Sequence, residues 1–429
     1  MLRFPTLLLA LLAVLAAAAP ALAAPLTLDR VVLIQRHGVR PPTSSNADLA
    51  KYAAQPWPDW PVAPGELTPH GALTVTLMGG TLREAYRAKG LLPARGCPTD
   101  GQVSVWADGA DQRTRRTGEL TAEALAPGCG IKAGWAPPLP RDPVFSGSPT
   151  DAACKVDPAE GAAAMLAAAG PDGLDTPPAR EAMTRLQAIV APDGCKGGPG
   201  ACFTGDDSIG QTPLGPRLQG PMSISASLAE DLLLEYADDK PLPEVGWGKV
   251  RSARDIAAMM PAHEQMFSTI RHNPYLAARQ GGLMARMVLG ALNGDPSGTV
   301  PGPTYGPASK VVVFAGHDTN IALMGALFGL DWTLPGEPDI TSPAQVLALE
   351  VLADPATGKR YLRPVMYYET LDQLRFLTPA RAQEAPIRFE VCADVRDGAC
   401  SLAEVTRRVA SLIPAGCGEI DAAAETKRQ

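Results

Sequence analysis

Residues 31–43 read VVLIQRHGVRPPT. The first five, Val31–Gln35, form a short and nearly unbroken apolar run, which is typical of a parallel strand buried on both faces. Arg36, His37 and Arg40 follow at the end of this predicted strand. Because ligands of open α/β sheets bind outside the carboxyl ends of the strands, the stretch predicts both a fold class and the position of a site.

Two other apolar runs predict strands of the same sheet. Residues 310–315 read KVVVFA and are rich in β-branched residues, whereas residues 102–107 read QVSVWA, which is a weaker strand pattern. A helix is predicted from the N-cap and N1 pair Thr68-Pro69 to a stop at Gly90, and another over residues 319–330. Strands that alternate with helices indicate an α/β layer fold.

The middle of the chain has a different pattern. Strand runs are scarce there, while residues 158–169 and 224–236 have helical patterns separated by a predicted loop at 193–210. We therefore expect a smaller, mostly helical domain over residues 149–280. It would be inserted into a discontinuous α/β domain formed by residues 24–148 and 281–429, which ends in a frayed polar tail.

The N-terminal segment has the pattern of a secretory signal peptide. Arg3 precedes an apolar stretch from Leu7 to Ala19, and residues 21–23 are the small-x-small tripeptide of a cleavage site. The alternative is a membrane-spanning helix, but a span needs about 20 apolar residues and Pro20 interrupts the stretch. We expect residues 1–23 to be removed and the protein to be periplasmic or secreted, with no membrane contact after cleavage.

The net charge and composition limit the kinds of molecule that the protein is expected to bind. The formal net charge is −7, and 46% of the residues are hydrophobic, which is ample for a core. The charge gives no indication of nucleic acid or an anionic membrane surface as a partner. We expect a monomer that binds a small molecule, and an anionic substrate would require a locally positive pocket.

The eight cysteines all lie beyond the predicted signal peptide, and an even number in an exported chain predicts disulfides. The close pairs Cys195/Cys202 and Cys392/Cys400 are typical of small stapled loops, whereas the other pairings stay open. A zinc site is the alternative, but the chain has no Cys-x-x-Cys motif and only five histidines.

The residues after the first strand are suited to an anion. Two guanidinium groups beside one imidazole would repel a metal ion, whereas the donors of arginine match the oxygens of a phosphate. Gly38 would let the backbone pass close to a ligand. A buried structural histidine is the simpler interpretation of His37 taken alone.

Two more segments carry matching chemistry. His317 and Asp318 follow the strand at 310–315, and the run DQRTRR at residues 111–116 offers Arg113. Taken singly, Asp318 could be only a helix N-cap, and Arg115 and Arg116 are best interpreted as a solvated helix face. The joint occurrence of two strand ends that each carry a histidine favours a site with a nucleophile, phosphate ligands and a proton donor.

The pattern Arg-His-Gly-x-Arg-x-Pro with a distant His-Asp pair resembles the histidine acid phosphatases, and it is most similar to their bacterial periplasmic phytase branch. The likeness covers nearly all of the chain beyond the signal peptide. The further stretches that carry it are residues 57–62, 67–69, 113–119, 246–248, 315–320 and 331–336.

The resemblance implies a three-layer α/β domain with a smaller helical domain, and an active site in the cleft between them. It implies His37 as a nucleophile that forms a phosphohistidine and Asp318 as the proton donor to the leaving alcohol, with no metal and no cofactor. The implied phosphate ligands are Arg36, Arg40, Arg113 and His317, assisted by Thr43. The implied disulfides pair Cys97 with Cys129, Cys154 with Cys417, Cys195 with Cys202, and Cys392 with Cys400.

The chain departs from the phytase pattern in its predicted substrate pocket. Ser44 stands where the branch typically has lysine, and Ser227 stands where it usually has methionine. Glu230 matches the branch, and His263 falls at the position of a pocket histidine. For Glu230 and His263 the alternative is an ordinary exposed helix position. With fewer cations in the pocket, we expect phytate (inositol hexakisphosphate) to bind less tightly than in the most similar members of the branch.

Phytate hydrolysis is the leading functional hypothesis from the sequence. The alternative within the same fold is a general or sugar-phosphate acid phosphatase of the glucose-1-phosphatase type, which the intact Gly38 and Thr43 disfavour. A non-catalytic inositol-phosphate-binding protein would be expected to lack His37 or Asp318, and both are present.

Overall fold

The computed structural model describes residues 24–137, 141–147, 151–192, 205–212, 215–298, 302–378 and 383–418. The predicted signal peptide, the pair Cys195 and Cys202, and all but the first residue of the predicted C-terminal tail lie outside the described residues.

The described strands form one large mixed sheet and two small antiparallel pairs. In chain order they are β1 (Thr27–Arg36), β2 (Val103–Ala107), β3 (Ala133–Trp135), β4 (Ser208–Thr212), β5 (Gly215–Gln219), β6 (Val311–Gly316), β7 (Leu330–Asp331), β8 (Val346–Ala353), β9 (Arg360–Tyr368), β10 (Gln383–Pro386), β11 (Arg388–Phe389), β12 (Val395–Arg396) and β13 (Ala399–Ser401).

The large sheet has the strand order β12-β13-β9-β8-β1-β6-β2-β3, with β10 paired to β9. At its centre β1 runs parallel to β6, and β6 runs parallel to β2. On its other side β1 pairs antiparallel with β8. The three parallel strands therefore end at the same edge of the sheet, which brings together segments that are far apart in the chain.

Helices surround the sheet and fill the middle of the chain. In chain order they are α1 (Asn46–Leu49), α2 (Pro69–Ala88), α3 (Gln112–Leu125), α4 (Pro143–Ser146), α5 (Pro158–Ala168), α6 (Pro177–Val190), α7 (Pro221–Ala237), α8 (Ala253–Ala257), α9 (Met260–Arg271), α10 (Pro274–Gln280), α11 (Gly282–Asn293), α12 (Asp318–Phe328), α13 (Leu371–Phe376) and α14 (Leu402–Leu412), with short 3₁₀ turns at Ala152–Cys154 and Val245–Gly248.

Successive side chains of the central strands point to opposite faces, and each face has its own core. Val31 and Leu33 of β1 belong to a cluster formed with α2 and α3. Val32 and Ile34 belong to the cluster formed with α11, α12 and α14. The apolar run of residues 31–35 is thus buried on both faces of the sheet. The fold is the expected three-layer α/β arrangement.

The predicted helices are present, with boundaries that differ by up to three residues: the helix predicted over 224–236 spans Pro221–Ala237. Thr68 caps α2 by accepting a hydrogen bond from the backbone N–H of Gly71, as expected for an N-cap threonine. The helix predicted to end at Leu330 ends at Phe328, because Gly329 adopts a left-handed conformation (φ 56°) and Leu330 starts β7.

The middle segment is more structured than its pattern indicated. Helix α6 lies between the two predicted helices, and residues 208–210, predicted as loop, belong to the hairpin of β4 and β5. Short polar strands of this kind have no apolar run to reveal them.

Helix α2 is fixed at both ends. Its N-terminal Gly71 packs against the backbone of Val39. Beyond its C-terminus, Lys89 donates to the buried carboxylate of Glu350 on β8 (2.8 Å) and to the hydroxyl of Tyr367 on β9 (2.9 Å). This attachment matters for the site because α2 supports the loop that carries the arginine–histidine motif.

Three of the four disulfides implied by the resemblance are present: Cys97–Cys129, Cys154–Cys417 and Cys392–Cys400. Cys154–Cys417 joins residues 263 positions apart, whereas Cys392–Cys400 closes a loop with a separation of 8. Among the described helices, none combines the length and the apolar character needed to cross a bilayer.

We predict that Cys154–Cys417 and Cys392–Cys400 contribute unequally to the free energy of unfolding. The double variant Cys154→Ser/Cys417→Ser should lose roughly 5 kcal/mol of unfolding free energy, and Cys392→Ser/Cys400→Ser roughly half of that, because closing a long loop removes more entropy from the unfolded chain. Thermal unfolding of both oxidised proteins measures the difference. Equal losses would show that native-state strain, rather than loop length, sets the contributions.

Candidate active site

The adjacent parallel strands β1, β6 and β2 place three polar residues side by side at their carboxyl ends. Arg36 is in register with Gly316, so His37 and His317 follow neighbouring strands. Ala107 is in register with Ala315, so Asp108 takes the third place. The imidazole rings of His37 and His317 lie 5.6 Å apart, centroid to centroid, in an edge-on arrangement.

His37 is held in one tautomer. Its Nδ1 lies 2.8 Å from the carbonyl oxygen of Gly38, and because a carbonyl can only accept, Nδ1–H is the donor. The lone pair is therefore on Nε2. Burial, followed by the charges of Arg113, Arg40 and Arg36, lowers the pKa of His37 well below its usual value. The neutral ring, which has a free lone pair, is therefore favoured to lower pH than in an ordinary histidine.

Gly38 is required for packing against a helix. A Cβ on Gly38 would overlap the carbonyl oxygen of Gly71 at the start of α2 and would lie 2.9 Å from Cγ2 of Val75. Contact with α2 thus gives a packing reason for this glycine, and its expected role in the approach of a ligand stays a prediction. The close contact between the two segments fixes the direction in which the motif leaves β1.

Arg36 is completely buried and lies among three carboxylates. Its Nη1 donates to Asp339 (2.8 Å), and its Nη2 contacts Glu230 and lies 3.3 Å from Asp318. Burial alone would lower the pKa of Arg36, but these carboxylates raise it above its ordinary value. The guanidinium is thus a permanent positive charge inside the protein.

Glu230 brings helix α7 to the motif. Its carboxylate accepts from Nη2 of Arg36, and Arg40 Nη2 lies 3.3 Å from its Oε2. Burial would raise the pKa of Glu230, but Arg40 and Arg36 together lower it. Glu230, predicted as a pocket residue, therefore binds in this structure the same two arginines that the sequence assigned to the phosphate.

His317 is oriented by two neighbours. Its Nε2 donates to Asp108 (2.8 Å), an acceptor that is itself buried, and Nη2 of Arg113 lies 3.5 Å from its Nδ1. Arg113, in the first turn of α3, also donates to the carbonyl oxygen of Gly65 (3.1 Å) and pairs with Asp111. With Nε2–H engaged by Asp108, Nδ1 is the remaining nitrogen of His317, and it can donate to an anion only when the ring carries a proton on both nitrogens.

Asp318 starts helix α12 directly beside these groups. Its Oδ1 accepts from the backbone N–H (2.5 Å) and the hydroxyl (3.0 Å) of Thr319, and Oδ2 faces Arg36. Burial would raise the pKa of Asp318, but Arg36, His317 and Arg40 lower it well below its usual range. The predicted proton donor is thus ionised in the unliganded protein.

The three arginines share a further property that favours an anion. In the described part of the chain, the buried Nε–H groups of Arg36, Arg40 and Arg113 have no hydrogen-bond acceptor. Buried donors without acceptors are costly, and an oxyanion with several lone pairs satisfies them. Asp108, Asp111 and His317 would also offer ligand atoms within 4.8 Å of one another, but the guanidinium of Arg113 lies against two of them and opposes a cation.

The remaining predicted residues lie at different depths. Thr43 and Ser44 are exposed, and Cγ2 of Thr43 lies beside Gly65, which Arg113 contacts. His263 is buried, so the exposed-helix alternative is wrong for it: the ring stacks on Phe267 (4.5 Å), and Nδ1 lies 3.2 Å from the carbonyl oxygen of Ala226.

Other predicted positions lie outside the cluster. The hydroxyl of Ser227 contacts only the carbonyl oxygen of Ser223 on its own helix, among the hydrogen bonds described. Arg116 is half-exposed and pairs with Glu119, and Arg115 donates to the carbonyl oxygen of Gly109. The interpretation of Arg116 as a solvated helix position agrees with this placement.

Sequence reasoning missed Asp108 and Asp339. Asp108 directly follows the predicted strand 102–107, so the strand-end rule that identified His37 and His317 would have found it. Asp339 lies in the loop before β8 and carries no comparable signal, because it is one of 45 acidic residues with no periodic pattern around it.

Comparison with known proteins places these residues in a family context. Residues 27–187 match the family model described as histidine phosphatase superfamily (branch 2). The chain is 31% identical to phytase AppA of Escherichia coli K12, over 90% of this chain and 91% of that protein. It is 25% identical to glucose-1-phosphatase of Providencia rettgeri, over 91% of this chain and 93% of that protein.

A solved structure is similar over the same extent. Hafnia alvei phytase in complex with myo-inositol hexakis sulphate has a TM-score of 0.82 and 31% identity, covering 93% of this chain and 99% of that one.

We predict that Arg113→Gln moves the acid limb of the pH profile to higher pH, where the profile is kcat/KM for an aryl phosphate plotted against pH. Arg113 disfavours the protonated imidazole, so its removal should raise the pKa of His37 towards the ordinary histidine value. Arg116→Gln, on the same helix but half-exposed and paired with Glu119, is the matched control and should leave the limb unchanged. A limb that stays in place in Arg113→Gln would contradict the assignment.

Proposed function

The chain belongs to branch 2 of the histidine phosphatase superfamily, and from this premise we propose that it hydrolyses phytate through a phosphohistidine on His37. It is a phosphoric monoester hydrolase of the acid phosphatase type. The observation that carries the proposed mechanism is the neutral, buried imidazole of His37 with its lone pair on Nε2, surrounded by the charges of three arginines.

The substrate phosphate would be bound by Arg36, Arg40 and Arg113, with the exposed Thr43 and, in its doubly protonated form, Nδ1–H of His317 as further donors. The Nε–H groups of the three arginines have no acceptor among the described residues, and phosphate oxygens match them in geometry and charge. Phosphoryl transfer depends mainly on positioning and charge stabilisation, which this cluster supplies.

In the first step, Nε2 of His37 attacks phosphorus while the P–O bond to the leaving alcohol breaks. The proton on Asp318 passes to the departing oxygen, so that an alcohol rather than an alkoxide leaves. In the second step, Asp318 takes a proton from water, the oxygen of that water attacks phosphorus, and the N–P bond breaks to release phosphate and neutral His37.

Asp318 must gain its proton when the substrate binds. In the unliganded protein the charge of Arg36 holds its pKa low. A bound phosphate would neutralise Arg36 and add negative charge beside the carboxyl, and both changes raise the pKa of Asp318. Acidic solution favours the same protonated form, which agrees with an acid phosphatase.

Phytate is proposed as the substrate because the chain is more similar in sequence to phytase AppA than to the glucose-1-phosphatase. The identity to phytase AppA is 31% against 25% to the glucose-1-phosphatase, and the Hafnia alvei enzyme with 31% identity is a phytase in complex with an inositol hexakis sulphate. The second candidate, a general or sugar-phosphate phosphatase, is favoured by Ser44, an exposed uncharged residue where the phytase branch has lysine.

We further propose the organisation and location of the protein. The contact of Glu230 with Arg36 and Arg40 supports an active site in a cleft between the α/β domain (24–148 and 281–429) and the helical domain (149–280). The N-terminal pattern and the disulfides support a periplasmic or secreted location with removal of residues 1–23, and we propose that the protein is a monomer.

We predict that Asp318→Asn discriminates between leaving groups. With alkyl esters such as glycerol phosphate, kcat should fall about 10²–10⁴-fold because the proton donor is lost. With an aryl phosphate, whose leaving group needs no proton, the loss should be smaller by an order of magnitude or more. His37→Ala should abolish turnover of both esters. Equal losses with both esters in Asp318→Asn would remove Asp318 from the donor role.

We predict that phytate has the highest kcat/KM in a panel with glucose 1-phosphate and an aryl phosphate, measured from acidic to neutral pH. Ser44→Lys should raise kcat/KM for phytate and leave the aryl phosphate unchanged, because an added cation attracts the highly charged ring. Ala47→Lys, at another exposed position nearby, is the control for general charge. A preference for glucose 1-phosphate would establish the second candidate, and binding without turnover would indicate a non-catalytic binding protein.

A further inference from the structure

The loop before β8 is buried although it is rich in polar residues. Asp339, Thr341, Ser342 and Gln345 have no exposed surface. They satisfy one another: the backbone N–H and the hydroxyl of Ser342 donate to Oε1 of Gln345, and Nε2 of Gln345 donates to the carbonyl oxygen of Ile340. Buried polar groups that hydrogen-bond one another in this way make the loop rigid.

This loop holds the backbone of the catalytic motif. The backbone N–H of Arg36 donates to the carbonyl oxygen of Gln345 (2.9 Å), and the N–H of Ala344 donates to the carbonyl oxygen of His37 (2.9 Å). Ala344 adopts a left-handed conformation (φ 62°), which is rare for a residue with a Cβ. The loop therefore keeps an unfavourable conformation while it contacts the nucleophile.

The same loop holds the side chain of Arg36 from one side only. Nη1 donates to Oδ2 of Asp339 (2.8 Å) and to the carbonyl oxygen of Thr341 (2.5 Å). Nη2 faces Glu230 and Asp318, whose side chains are 14% and 16% exposed, whereas the side chain of Asp339 is fully buried. The two ends of the guanidinium thus have different partners. Nη1 contacts the fully buried Asp339, and Nη2 faces the partly exposed Glu230 and Asp318.

Asp339 is itself fixed. Its Oδ1 accepts from the backbone N–H (2.8 Å) and the hydroxyl (3.0 Å) of Thr341, and lies 3.7 Å from Nε2 of His263. Its own N–H donates to Oε1 of Glu337 (3.0 Å). The carboxylate has little freedom to follow Arg36 if that side chain moves.

We propose that Asp339 is a positioning residue of the phosphatase reaction: it anchors Nη1 of Arg36 so that Nη2 and Nε of the same guanidinium face the substrate phosphate. The inference rests on the proposed function, because Arg36 is taken to bind the phosphate. Without the anchor, the guanidinium would rotate towards Glu230 and Asp318, the two remaining carboxylates, and its donors would leave the phosphate. Asp339 itself touches no reacting atom.

The decisive test compares two aspartates that each pair with an arginine. Asp339→Asn keeps the shape of the side chain and removes its charge. Asp354→Asn is the matched control: Asp354 is also buried, lies 2.6 Å from Nη1 of Arg396, and follows β8 at the opposite end of the strand from the site. Both variants should lower the thermal unfolding midpoint, since each loses an ion pair.

The proposal predicts that only Asp339→Asn impairs the site. Its Kd for inorganic phosphate, measured by calorimetry, should rise about 10-fold, and its kcat for an aryl phosphate should fall about 10- to 100-fold, as expected for a misplaced binding group. Asp354→Asn should leave both quantities within about 2-fold of the unmodified protein, well below that loss. If both variants lose only stability, or both lose phosphate affinity equally, the proposal is overturned.

Two further variants test whether Asp339 acts through Arg36. Thr341→Val removes one hydrogen bond to Asp339 at nearly constant volume and should produce a smaller effect of the same kind. In an Arg36→Ala background, Asp339→Asn should weaken phosphate binding no further, because residues that act as a unit are not additive. Additive losses would contradict the proposal.

Failure of the anchor and failure of the proposed function give different results. If the unmodified protein bound phosphate but turned over no ester, the phosphatase function would fail, and the comparison of Kd values would still decide the role of Asp339. If it turned over esters and Asp339→Asn matched it in kcat and in Kd, only the anchor would fail.

Discussion

The guanidinium of Arg36 is the constraint on which the site depends. A positive charge with no exposed surface is stable only when carboxylates surround it, and removing one partner of such a pair is strongly destabilising. Asp339, Glu230 and Asp318 come from three different segments of the chain, and each must approach Arg36. The charge of one side chain thereby helps to hold helix α7, the start of α12 and the loop before β8 around the end of β1.

The same arrangement prepares the cluster for an anion. Arg36 faces three carboxylates, Arg40 faces Glu230 and Arg113 pairs with Asp111, so each of the three arginines has a carboxylate partner in the unliganded protein. Under the proposed function, an arriving phosphate would compete with Glu230 and Asp318 for Nη2 of Arg36, whereas Asp339 would keep its bond to Nη1. Two kinds of carboxylate therefore hold Arg36 in the proposed mechanism. The phosphate would displace Glu230 and Asp318, and it would leave Asp339 in place.

Directional acceptors determine what the two histidines can do. The carbonyl oxygen of Gly38 and the carboxylate of Asp108 can only accept, so each selects the nitrogen that carries hydrogen. His37 is left with a lone pair on Nε2, the atom proposed to attack, and His317 is left with Nδ1, which can donate to an anion once the ring is protonated. The parallel order of β1, β6 and β2 makes this possible because it places all three strand ends next to one another.

The sequence by itself determined the three parallel strands β1, β2 and β6, the capped helix α2, the two histidine-bearing strand ends and the arginines. Apolar periodicity, capping residues and charge type act over a few neighbouring positions, so a short stretch of sequence reveals them. Tertiary structure alone decided the partners. Asp339 lies 303 positions from Arg36 and Glu230 lies 194 from it, and no local pattern distinguishes them from the other acidic residues. It also decided the close neighbour of Gly38, which is helix α2. Side-chain partners depend on how segments far apart in the chain pack against one another. A short window of sequence contains no information about that packing.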